Sequence, residues 1–129
     1  MTLIQKIRRE ILCELRYDKE LRVPFEDVTE DNIDSLYEEI LVEKDLHYDY
    51  ENEFRSGVYE TDIEPDYSRH YESKSVATKL RDGTWIGWTY WYGGGKHSNP
   101  SEIPWMDEVY ELDCEETEQL VTVRKFTKK

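Results

Sequence analysis

Long apolar runs are missing from this 129-residue chain. None approaches the roughly 20 residues that a helix needs to cross a bilayer, so no membrane-spanning helix is expected. The opening stretch, Met1 to Arg9, is amphipathic and carries charge inside its apolar pattern, unlike a secretory leader. Cysteine is scarce too. Cys13 and Cys114 stand far apart, with no CxxC or CxxH spacing around either. A disulfide framework and a zinc site are therefore not expected, and a reducing, cytoplasmic setting is.

Catalytic signatures are equally sparse. There is no GxSxG, no HExxH and no Cys–His context that would mark a nucleophile. Gly93-Gly94-Gly95-Lys96 resembles a phosphate loop only in part. The first glycine of that motif is absent, and His97 stands where Ser or Thr belongs. His47, Asp49, Glu51 and Glu53 would share one side of a strand and offer oxygen ligands to a hard cation. The glycine of a calcium loop is not among them. No cofactor, no metal site and no catalytic residue is assigned.

What the chain does have is charge of one sign. Its formal net charge is −13, from 30 Asp and Glu against 17 Lys and Arg. The acids are not spread evenly. Residues 26–72 carry a net −14 and residues 100–118 a net −8, while 1–25, 73–99 and 119–129 are net basic at +2, +3 and +4. Such a molecule repels nucleic-acid phosphates and anionic membranes and attracts basic surfaces. A solvated face that keeps the protein soluble accounts for part of this. Like charges at such density also cost stability, which fits an interaction surface.

Aromatics, at 13%, are the second abundance. Their large burial area per residue supports one folded core despite an apolar share of 37%. At this length a single domain spanning 1–129 is expected.

Leu3, Ile4, Ile7, Ile11, Leu12 and Leu15 recur at helical spacing, so a helix is predicted over 3–16 with Thr2 as its cap. Pro24 marks a connector. A second helix is predicted over about 31–44, with Ile33, Leu36, Tyr37, Ile40 and Leu41 buried. Asp31, Asp34 and Glu38 then stack on its outer face, flanked by Glu39 and Glu43. His47 to Phe54 alternates with period two and is read as a strand. Gly57 breaks it, Val58 to Ile63 is a short extended piece, and Glu64 to Ser68 a loop.

Asp82-Gly83 separates two β-rich runs, 70–80 and 84–92, and favours a two-residue hairpin turn. That register would set Leu80 opposite Trp85, Ala77 opposite Trp88, Ser75 opposite Tyr90 and Ser73 opposite Tyr92. Glu108 to Cys114 and Leu120 to Phe126 read as a closing hairpin. The expected fold is thus α+β: two N-terminal helices packed on an antiparallel sheet of about four or five strands.

Two functions follow. The first is a non-enzymatic interaction protein. It docks on a basic surface of another macromolecule through Asp31, Asp34, Glu38, Glu39, Glu43, Asp49, Glu51 and Glu53. A nucleic-acid-binding protein is the sharpest partner. Carboxylates every three or four helical residues recur about every 5–6 Å, near the phosphate spacing of a DNA strand, as in DNA-mimic inhibitors of restriction or CRISPR systems. The alternative is a small-molecule or nucleotide-binding module, or a small enzyme. Its site would be the aromatic hairpin and glycine loop: Trp85, Trp91, Tyr92, Gly94, Lys96, His97 and Trp105. The pattern leaves the oligomeric state open.

Overall fold

Thr2 opens the first helix as the periodicity requires. Its hydroxyl accepts from the Gln5 amide, and Gln5 Oε1 accepts from the Thr2 amide, a reciprocal cap. The computed structural model describes residues 1–96 and 98–129. Helix α1 spans Leu3–Glu14 and buries Ile7, Ile11 and Leu12. Two single 3₁₀ turns, Lys19–Leu21 and Phe25–Asp27, form the connector around Pro24.

A second reciprocal cap starts the next helix. The Thr29 amide donates to Asn32 Oδ1 and the Asn32 amide to Thr29 Oγ1. Helix α2, Ile33–Tyr37, then widens into a π turn, Glu38–Val42, in which the Glu43 amide bonds the Glu38 carbonyl. Ile33, Tyr37 and Leu41 face the core. Asp45, at φ +58, ends the run. Aspartate tolerates the left-handed region better than most residues.

His47–Arg55 is a helix, α3, and not the strand that its alternation suggested. Tyr50 and Arg55 are its buried positions. Tyr50 and Phe54 satisfy both periods, because they are also one helical turn apart, while Tyr48 falls on the far side of the helix and is exposed. Burial of Tyr50 on the helical core and of Phe54 against Trp88 decides between them.

The sheet has four antiparallel strands in sequential order: β1 Tyr59–Glu60, β2 Glu72–Lys79, β3 Trp85–Tyr92 and β4 Tyr110–Leu112. The β2–β3 register differs by one residue from the two-residue turn. Lys79 faces Trp85, Val76 faces Trp88, Lys74 faces Tyr90 and Glu72 faces Tyr92. The connection is a three-residue loop: the Leu80 amide bonds the Thr84 carbonyl, the Gly83 amide bonds the Leu80 carbonyl, and Gly83 takes φ +91. The shift turns Val76 and Thr78, rather than Ala77 and Ser75, toward the helices beside Ile86 and Trp88. A one-residue slip exchanges every side chain between faces, and burying Val76 selects this register.

The opposite face is covered as well. The Asp66 amide donates to Thr89 Oγ1, and Ser73 Oγ donates to the Asp66 carbonyl, drawing the 61–71 segment across it. Gly87 leaves room there for β4, since a Cβ at that position would stand 2.6 Å from Leu112 Cδ2.

The closing hairpin does not form. Only Tyr110–Leu112 pairs, and residues 113–129 carry no helix or strand and are exposed throughout. Asp113, Glu115, Glu116 and Glu118 crowd the expected turn with like charge, which opposes a tight reversal there. The fold is nonetheless α+β, with the helices toward the N-terminus and a four-stranded antiparallel sheet.

Candidate interaction surface

The acidic residues of 31–53 divide by what they touch. Asp34 is engaged. Its Oδ1 pairs with the Arg8 guanidinium at 2.8 Å, and its Oδ2 accepts from Gln5 at 3.2 Å. Glu53 pairs with Arg16 at 2.7 Å. Glu51 accepts the Tyr37 hydroxyl at 2.8 Å. Burial, then the Glu51 charge, pushes the Tyr37 phenol far above its ordinary range, so it stays protonated and donates. Asp34 and Glu51 join helices to each other, and Glu53 ties α3 to the segment just past α1.

Asp31, Glu38, Glu39, Glu43 and Asp49 behave differently. All five are exposed, and none enters an ion pair among the described residues. They are carried by a backbone anchored at Ile33, Tyr37, Leu41 and Tyr50 in the core. Lys44, exposed beside Glu43, is the one base within 31–53 and forms no ion pair among the described residues; four other bases of the fold are occupied elsewhere. Lys6 and Arg9 both reach Asp82, at 3.1 and 3.0 Å, Arg81 reaches Glu10 at 2.8 Å, and Arg55 is buried, donating to the Trp91 carbonyl.

The strand-like reading put His47, Asp49, Glu51 and Glu53 on one side. On α3 each successive pair is turned by about 200°, which distributes them around the axis. Among the described residues no group of three or more His, Cys, Asp or Glu side chains is placed to hold a metal ion.

The aromatic alternative is scattered. Trp105 is buried on the helix-facing side, 5.0 Å from Trp88 and 6.2 Å from Phe54 between ring centres. Trp91 is buried on the other face of β3. Trp85 is half-buried beside Tyr59, at 5.5 Å, and Tyr92 stacks on Tyr90 at 5.7 Å with Lys74 close by. Gly94, at φ +90, packs under Tyr71 and accepts a hydrogen bond from Ser98 Oγ; Lys96 is exposed. His97 lies outside the described residues. The Cys13 thiol is not activated: desolvation raises its pKa against the opposing charge of Arg81.

Two grooves flank the helices. One, of about 420 Å³, lies between α1, α3 and β2 and includes Glu10, Leu15, Tyr50, Phe54 and Leu80. The other, of about 750 Å³, lies between α1, α3 and the 99–107 segment. Trp105 lines the second; Trp85, Trp91 and Lys96 line neither. Comparison of the chain with protein-family models, with curated proteins and with solved structures gives no match.

Glu102 and Asp107, on the rim of the second groove, were not singled out by sequence reasoning. The only signal for them was the acidic bias of residues 100–118. Nothing in the local pattern shows that Trp105 folds under and brings these two carboxylates toward Asp49.

Proposed function

We propose that the protein is a non-enzymatic interaction module whose α2–α3 face docks on a basic surface of another macromolecule. The observation that carries this reading is the contrast within one acidic segment. Asp34 and Glu53 are consumed by Arg8 and Arg16, while Asp31, Glu38, Glu39, Glu43 and Asp49 stay exposed and enter no ion pair among the described residues. Carboxylates held this way raise the association rate with a cationic patch and lose it as salt screens the field.

A basic nucleic-acid-binding protein remains the sharpest partner for such a face. Docking then works by charge more than by matched phosphate spacing. The π turn Glu38–Val42 interrupts the three-and-four periodicity after Glu38, so the carboxylates do not continue as one even row. The test is competition. A partner bound through this face is displaced by duplex DNA and by salt, and Glu38→Lys with Glu43→Lys weakens it severalfold. Binding that ignores DNA and both substitutions refutes the proposal. Asp34 is a poor probe, because reversing it also breaks its contact with Arg8.

A further inference from the structure

The 750 Å³ groove has walls of two kinds. Ile4, Ile103, Pro104, Met106 and Trp105 supply apolar surface, and Asp49, Glu51, Glu102 and Asp107 supply carboxylates. Among the described residues Arg8 is the one base on its lining, and its charge is already spent on Asp34, with the guanidinium 5.3 Å from the Tyr37 ring centre. Asp49, Glu102 and Asp107 are exposed and form no ion pair among the described residues.

We propose that this groove binds an extended segment of a partner protein in which apolar side chains alternate with lysine or arginine. An apolar floor alone would take any hydrophobic peptide. A rim of carboxylates without counter-charge selects a basic one and repels an acidic one. Extended chain suits both requirements at once. Its side chains alternate in direction, so apolar residues enter the groove while basic residues turn toward the rim. The inference rests on the acidic-face reading, shares Asp49 with it, and gives the partner's chemistry.

The chain itself contains a segment that combines the same residue types, though not in strict alternation. Leu120, Val121, Val123 and Phe126 are 79–107% exposed, and Arg124, Lys125, Lys128 and Lys129 lie among and after them. A labelled synthetic peptide of residues 119–129 is therefore the probe, titrated into the full-length protein and followed by fluorescence anisotropy. The peptide is expected to bind, and replacing its four apolar residues by serine should weaken it about tenfold or more. Asp49→Lys with Glu102→Lys in the protein should do the same; both residues are exposed, so the core is untouched.

Absence of binding both to the unchanged protein and to its tail-serine variant, equal binding of the serine peptide, or indifference to Asp49→Lys with Glu102→Lys overturns the groove. If Glu38→Lys with Glu43→Lys abolishes binding while the groove variant does not, the groove is wrong and the acidic-face reading survives. If neither pair matters, both fail. If the probe binds only after the protein's own Leu120, Val121, Val123 and Phe126 are changed to serine, the occupant is the chain's own tail. The assignment to a partner is then overturned.

Discussion

Glu10 and Arg81 fasten the hairpin to the first helix. Glu10, buried on α1, accepts the Arg81 backbone amide on one carboxylate oxygen at 2.6 Å and the Arg81 guanidinium on the other at 2.8 Å. Removing it leaves the turn amide without its acceptor and the guanidinium with only its longer contact to the residue-10 carbonyl, at 3.5 Å. Glu10→Ala is expected to cost about 2–3 kcal/mol, the range for losing charged hydrogen bonds at a buried acceptor. Arg81 is partly exposed, so Arg81→Ala should cost less. Urea unfolding of the two variants checks the order.

Asp82 gives the fold its acid sensitivity. Burial works to raise its pKa. Hydrogen bonds from Thr84 and the charge of Lys6 outweigh that and hold it at about 2. A carboxyl depressed in the folded state stabilises it above the ordinary carboxylate pKa and loses that contribution as pH falls through the folded value. Stability should therefore drop between pH about 4 and about 2. Asp82→Asn should be less stable at neutral pH and flatter across that window. An unchanged slope in thermal melts taken across these pH values would refute the assignment.

The exposed acids of the π turn and its end cost stability that their reversal returns. Glu38→Lys with Glu43→Lys should raise the unfolding free energy at low salt by a few tenths of a kcal/mol, since it relieves self-repulsion. Asp34→Lys should lower it, because Arg8 then faces a like charge. Denaturation at about 0.02 and 0.5 M salt separates the two, the first gain vanishing at the higher value.

Gly57 is required where it stands. It takes φ +68 after α3, and a Cβ there would lie 2.8 Å from the Val76 Cβ. The left-handed conformation alone costs a non-glycine residue about 1–2 kcal/mol, and this clash involves a β-carbon fixed to its strand. Gly57→Ala should destabilise by at least that amount. Gly83→Ala should cost no more than the conformational part, because open space surrounds Gly83.

The parts of this fold legible in the sequence are those set by local rules. The cap at Thr2, the stripe from Ile7 to Leu12, the buried face Ile33–Tyr37–Leu41 and the strand pair around Asp82-Gly83 follow from periodicity and turn chemistry. Three features depended on tertiary contacts and were read otherwise. Phe54 stacking on Trp88 makes 47–55 a helix. Burial of Val76 and Ile86 together sets the hairpin register, which turn residues alone left one position off. Leu120 to Phe126 reads as the last strand of a closing hairpin, but four nearby acids and the lack of a described partner leave it exposed. For the interaction surface, the sequence located the acidity. It could not show that Asp34, Glu51 and Glu53 are spent inside the fold, because their partners Arg8, Tyr37 and Arg16 lie on other elements.

The central claim is that exposed carboxylates around the π turn after α2 and on α3 hold a basic partner. The most direct measurement is retention of a captured partner at graded salt, comparing the unchanged protein with a Glu38→Lys, Glu39→Lys, Glu43→Lys variant. Retention by the unchanged protein should be strong near 0.1 M salt and lost by about 0.5–1 M, where the screening length falls to a few ångströms, and the variant should retain little at any salt. Equal retention by both proteins, unaffected up to about 1 M salt, would contradict the account.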